Sequence, residues 1–184
     1  LFFVSSFLFF LQAMAQSPTA MVEIKGGTYI PMYGVKEKQK ETKPVKVKSF
    51  LLDVYPVTNA QYRDFLEKTP QWQRSKIKGI YAQKSYLSAW KGDLDFSPLD
   101  PEAPVTNVSW FAAKKYCECQ GKRLPTTDEW EYVAQADETS INAREKKSYS
   151  DYITNWLQTP RTYENKIGST KKNYWGVYDM YGLV

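Results

Sequence analysis

The stretch NVSWFAAKKYCECQGKRLPTTDEWEYVAQ (107–135) constrains the fold of this chain more than any other. Ser109 stands where an N-cap is wanted, and Ala112, Ala113, Tyr116 and Cys117 follow on one side at helical spacing. Gly121 takes a left-handed backbone at little cost and so ends that helix. Arg123-Leu124-Pro125 bridges to a second start, where Thr126 and Glu129 form a capping box that reciprocally satisfies two orphan amides. Asp128 and Glu129 lie in the first turn, where the helix dipole favours negative charge. Trp130, Val133 and Ala134 read as the inward stripe of the second helix. Trp110 and Trp130 are expected to anchor the two helices to the core. Arg123 is expected to be partly buried and paired with Glu129 or Glu131.

A similar helix start occurs earlier. Thr58-Asn59-Ala60-Gln61 is a capping box joining Thr58 to Gln61, Val57 can staple onto Tyr62, and Tyr62, Phe65 and Leu66 form the apolar stripe. Upstream, MVEIK (21–25) and TYIPM (28–32) read as strands joined by Gly26-Gly27 as a hairpin. VKVKSFLLDV (45–54) alternates, but its apolar set changes phase at Phe50, which points to a bulge or sheet corner. VTNV (105–108) reads as a short strand. Residues 69–104 have little periodicity but carry Trp72, Tyr81, Tyr86 and Trp90, so they read as a packed irregular excursion. Beyond Gln135 the chain turns polar up to about Asn173. The sum is an α+β domain with short antiparallel strands, two helices and much loop.

With 184 residues the chain suits one domain. The absence of histidine rules out, within these residues, a Ser-His-Asp triad, a histidine metal site and imidazole acid-base chemistry. Net charge is +5, with lysines clustered between Lys36 and Lys48. That cluster fits either an acidic partner or a loop entering a strand whose Lys46 and Lys48 blunt a sheet edge. No helix-turn-helix, zinc finger or RNP-type strand accompanies it, so no nucleic-acid partner is expected. Cys117 and Cys119 sit two apart on a predicted helix, a poor geometry for a mutual bridge. Cys117 reads as a core or bridging residue and Cys119 as a surface one. Asn107-Val108-Ser109 matches a glycosylation sequon, but Ser109 is better explained as a helix cap.

The first residues, LFFVSSFLFFL (1–11), form an uncharged run too short for a membrane span of about 20 residues. Ala13-Met14-Ala15 follows in the small-x-small pattern of a signal-peptidase site. Residues 1–15 therefore read as a signal peptide clipped at its start, with a buried N-terminal strand or helix as the alternative. Residues 16–20 read as a short linker and 21–184 as the domain. The mature chain is expected to be periplasmic or secreted, with no transmembrane segment.

Four blocks occur in order: MVEIKGGTYIPMYG, YPVTNAQYRDF, APVTNVSWFAAKKYCECQGKRLPTTDEWEYVAQ and IGSTKKNYWGVYDMYGLV. Together they resemble the formylglycine-generating enzyme (sulfatase-modifying factor) family, whose domain is a variant of the C-type lectin fold. The third block is the most specific. The resemblance covers 21–184 and implies the N-terminal part of the domain. It also implies an oxygen-dependent oxidase of a sulfatase cysteine, with copper(I) on a cysteine pair and calcium as a further ion. No residue here matches the copper pair, so no catalytic, cofactor-binding or metal residue is carried over. Thr58, Gln61, Trp110, Cys117, Gly121, Arg123, Thr126, Glu129 and Trp130 are carried over as a structural motif. In some members of the family the cysteine matching Cys117 is bridged to a later segment.

Two departures from the family pattern stand out. Leu183 replaces an amide residue, and the stretch between Asn155-Trp156 and Ile167-Gly168-Ser169 is short for a calcium loop, leaving Asn155 as one candidate ligand. The resemblance thus implies an exported formylglycine-generating-enzyme-like protein acting on a protein or peptide such as a sulfatase. The alternative is a non-catalytic, lectin-like binding or scaffold domain. A third reading, the iron-dependent sulfoxide synthases of the same superfamily, needs three histidines and ranks last.

Overall fold

Two alternating segments, 21–29 and 45–53, pair along one antiparallel register. In the computed structural model, which describes residues 19–32, 43–160 and 165–182, β1 (Met21–Ile24) pairs with β4 (Phe50–Asp53) and β2 (Gly27–Tyr29) with β3 (Val45–Val47). Ile24 opposes Phe50 and Gly27 opposes Val47, so both ladders belong to one bent pair of arms. The expected tight hairpin at Gly26-Gly27 therefore does not form; β1 runs on into β2. A Cβ on Gly26 would lie 2.5 Å from the Val47 carbonyl and 2.8 Å from the Ser49 nitrogen. Glycine there admits a close backbone crossing, and its N–H donates to Ser49 Oγ at 3.0 Å. The break lies opposite Lys48-Ser49, where the alternation changes phase. Lys46 and Lys48 are exposed along this arm.

α1 (Asn59–Lys68) and α2 (Trp110–Cys119) pack together, with Tyr62, Phe65 and Leu66 buried against Ala112 and Tyr116. The irregular segment between them, which includes a 3-10 turn at Pro70–Trp72, supplies Tyr86, Leu87 and Trp90 to the same core. Asn59 knots it in place. Its side-chain amide donates to the Asp100 and Ala103 carbonyls at 3.0 and 3.2 Å and accepts from Trp90 Nε1 at 3.1 Å. Residues 105–108 are not a strand. Asn107 adopts φ +55, which breaks an extended run, and its carbonyl accepts from the Leu87 amide at 2.9 Å.

A second core joins the strands to α3 (Thr127–Ala134): Ile24, Tyr29 and Val47 meet Tyr132, Val133 and Val177. A fourth helix, α4 (Lys147–Gln158), occupies part of the stretch that reads only as polar in the sequence. Tyr149 is its buried residue, and the Tyr149 and Tyr181 hydroxyls both reach the Ala134 carbonyl. The architecture is α+β, with four short strands and four α-helices among the described residues. The residues 1–15 read as a leader, the lysines at 36–40 and Leu183 lie outside the described residues.

Candidate functional site

The helix–elbow–helix unit is built as a set of satisfied ends. Ser109 Oγ accepts from the Ala112 amide, and α2 closes at Gly121, whose φ is +68. The Lys122 amide returns to the Cys117 carbonyl at 2.8 Å, and Lys122 Nζ pairs with Asp53 at 2.6 Å, tying the helix end to β4. Thr126 Oγ1 accepts from the Glu129 amide at 3.2 Å while Glu129 Oε2 accepts from the Thr126 amide at 2.8 Å. Thr58 and Gln61 make the same reciprocal pair, at 3.2 and 3.0 Å.

Arg123 pairs with Glu129, but the burial is the reverse of that expected. The Arg123 side chain is 62% exposed and that of Glu129 only 11%. The long guanidinium arm stays in water and reaches in to a carboxylate fixed by the capping box. The Arg123 hydrogen bond, with those from Thr126, holds the Glu129 carboxyl below its ordinary range.

The two indoles face water. Trp110 is 61% and Trp130 43% exposed. The buried face of α3 runs through Glu129, Tyr132 and Val133, and Trp130 sits one residue beyond Glu129, turned by about 100°. On α2 the buried line is Ala112 to Tyr116, and Trp110 lies two residues earlier, on a different face. The structure thus places Thr126, Glu129 and Arg123 together and leaves Trp110 and Trp130 outside both cores.

Two grooves open on these faces. One, of about 610 Å³, runs between residues 79–86 and the start of α2; Ile80, Tyr81, Trp110 and Phe111 are all exposed along it. Its rings are locked edge to face: Tyr81 on Phe111 at 5.5 Å and Trp110 on Phe111 at 5.3 Å. The other, of about 340 Å³, lies between α3 and α4 and is lined by Trp130, Gln135, Arg144 and Ile153. Asn59 organises the segment beside the first groove, a role the sequence pattern does not assign to it. Its only signal was an asparagine directly after an N-cap, a poor helix former in a helical position.

The family of the sulfatase-modifying factor enzyme 1-like domain matches residues 9–184. The chain belongs to this family. The relatives that this chain resembles have varied names. The chain is 32% identical over 170 residues to the serine/threonine-protein kinase pkn1 of Chlamydia caviae, covering 90% of this chain and 27% of that protein. It is 29% identical over 150 residues to the inactive C-alpha-formylglycine-generating enzyme 2 of Mus musculus, covering 66% and 48%. It is 28% identical over 148 residues to the formylglycine-generating enzyme of Bos taurus, covering 62% and 39%. The chain therefore spans about a quarter to a half of the length of these relatives.

The described residues of this sulfatase-modifying-factor-like chain do not fit the ions that the resemblance implies. Cys117 is half-buried against the first core, and burial pushes its thiol above the ordinary value. Cys119 is exposed on another face of α2, so the two sulfurs do not converge on one soft ion. Asn155 is an exposed residue of α4 whose carbonyl is taken up by the Thr159 amide at 3.0 Å. Among the described residues no three His, Cys, Asp or Glu side chains gather as an ion-binding group. No described helix is long and apolar enough to cross a membrane.

Proposed function

We propose that this chain is the scaffold and polypeptide-recognising part of an exported protein of the formylglycine-generating type, and that oxidation of a substrate cysteine is not the work of its own two cysteines. The divergence of Cys117 and Cys119 on α2 carries this reading. A copper(I) site of the formylglycine-generating kind needs two thiolates aimed at one point, and one of these thiols is core-packed with its ionisation disfavoured. The names of the relatives lean the same way: the chain is similar to stretches of proteins named as a kinase, an inactive formylglycine-generating enzyme and a formylglycine-generating enzyme, which favours a common framework over a common reaction.

The test offers the chain copper(I) and a sulfatase-derived cysteine peptide, then reads peptide binding, oxygen uptake and peptide mass. Peptide binding without oxidation is expected, and Cys117→Ser with Cys119→Ser should leave copper retention unchanged. Conversion of the cysteine to an aldehyde, lost in the double variant, overturns the proposal.

A second reading is formylglycine generation by the intact protein, favoured by the alignment with the Bos taurus enzyme. It predicts a closely spaced cysteine pair elsewhere in that protein, whose loss abolishes oxidation while this domain stays folded. Export rests on the apolar run at 1–11 and on Ala13-Met14-Ala15. N-terminal sequencing of the mature protein should start at Gln16, and retention of residues 1–15 in the cytoplasm would sink that assignment.

A further inference from the structure

The groove between residues 79–86 and α2 is lined by exposed aromatic and aliphatic side chains together with neutral polar ones. Ile80 is 74% exposed and stands beside Tyr81, Trp110 and Phe111. Isolated exposed apolar residues mean little, but a contiguous set lining one groove marks an interaction surface. No carboxylate lines the groove, and none occurs anywhere in 77–88. Exposed Lys78 and Lys84 are chain neighbours of the lining residues Gly79, Gln83 and Ser85, and neither forms a salt bridge among the described residues.

The α2 side adds to this sign. The first turn of α2 has no acidic residue and its cap is the neutral Ser109, so no charge offsets the positive end of its dipole beside the groove. The first carboxylate along α2, Glu118, is occupied by Lys114 and Lys115 at the far end of the helix. The floor is also preset, because the Trp72, Tyr81, Phe111 and Trp110 rings brace one another in series. A preset floor lowers the ordering cost of binding.

We propose that this groove docks an acidic polypeptide segment carrying large apolar side chains. The inference deepens the polypeptide-recognition reading above and gives it a place and a charge. Apolar side chains would lie on Ile80, Trp110 and Phe111, while carboxylates face Lys78, Lys84 and the start of α2. The edge-to-face rings offer no ladder of parallel faces for stacked bases, which favours peptide over single-stranded nucleic acid.

The test selects binders to the full chain from a random-peptide phage library and measures the best by Trp fluorescence. Selected peptides should be net acidic with aromatic or aliphatic residues, and their binding should weaken as salt rises. The Lys78→Glu/Lys84→Glu double variant should lose about tenfold or more in affinity, equivalent to about 1.4 kcal/mol or more. Trp110→Ser should lose a similar factor, whereas Lys46→Glu, on β3, should change nothing. All these positions are exposed, so the variants should keep the parent melt, checked by circular dichroism.

Acidic peptides that bind equally well to the double variant and to Trp110→Ser overturn the groove while leaving polypeptide recognition intact. Failure to select any peptide overturns both. Selection of basic peptides, preferential binding of oligothymidylate, or sedimentation showing that a second copy covers Trp110 each overturns the assignment of an acidic polypeptide.

Discussion

Arg123 grips Glu129 with both terminal nitrogens, Nη1 to Oε2 at 2.7 Å and Nη2 to Oε1 at 2.6 Å, while Oε2 also accepts from the Thr126 amide at 2.8 Å. One carboxylate thus closes the elbow and caps α3. Because Arg123 is largely in water, the stabilisation comes chiefly from the fixed, buried acceptor, not from an exposed ion pair.

This arrangement predicts acid sensitivity with a definite sign. The folded carboxyl titrates below its ordinary value of 4.5. On acidification the unfolded chain therefore takes up the proton first. The stabilisation is fully present above about 4.5 and is lost as pH falls through the folded value. Glu129→Gln keeps an oxygen for the Thr126 amide but gives up the charge, so it should cost about 1 to 2 kcal/mol near neutrality and flatten the acid limb. Thermal melts across the acid range check this, and an acid limb as steep in the variant as in the parent contradicts it.

Gly121 at the end of α2 and Gly26 between β1 and β2 should respond to alanine very differently. Gly121 has φ +68 but nothing within 4 Å of an added Cβ, so Gly121→Ala should cost only the left-handed penalty of about 1 to 2 kcal/mol. At Gly26 the added carbon would strike the Val47 carbonyl and the Ser49 nitrogen, both backbone atoms that cannot swing aside. Gly26→Ala should therefore cost about 3 kcal/mol or more, and it should separate β1–β4 from β2–β3. Urea midpoints of the two variants give the order directly; equal values would contradict the close crossing.

Tryptophan positions divide sharply. Trp90 is 2% exposed and donates to Asn59, whereas Trp110 and Trp130 stand in solvent. Trp90→Ala should cost about 3 to 5 kcal/mol. Trp110→Ala and Trp130→Ala should each stay within about 0.5 kcal/mol. Acrylamide quenching of variants retaining either of the latter indoles should be strong. Weak quenching with a large loss of stability would restore them to the core.

These residues show what the sequence made readable. Capping is local chemistry over four residues, so Thr58–Gln61, Thr126–Glu129 and Gly121 could be placed from spacing alone. The direction of a side chain from a helix depends on which face the rest of the fold covers, and Trp110 and Trp130 project from faces that neither core covers. The crossing at Gly26 depends on Ser49, far along the chain, which a hairpin-compatible dipeptide cannot reveal. α4 lacks a side-chain cap, yet Tyr149, Ile153 and Trp156 carried a helical period that went unread. The groove beside α2 is least legible of all, since it joins residues 79–86 to a helix start about thirty positions later.

Tyr62 and Tyr86 share a buried hydroxyl contact of 2.9 Å, and the Tyr86 hydroxyl also donates to the Trp72 carbonyl at 2.9 Å. Burial pushes the Tyr62 phenol far above its ordinary value and that of Tyr86 up to about 12. Removing either hydroxyl is not equivalent. Tyr62→Phe leaves Tyr86 bonded to Trp72 and should cost about 1 kcal/mol, whereas Tyr86→Phe strands the Tyr62 hydroxyl in the core and should cost about 2 to 3 kcal/mol. The pair also sets the alkaline limit. Above about pH 10 the unfolded chain releases these protons while the folded chain keeps them, so stability falls as pH rises. Denaturation curves at increasing alkalinity should show that fall in the parent and a weaker one in Tyr62→Phe. A parent whose tyrosines all titrate near 10 while the protein remains folded would contradict the buried pair.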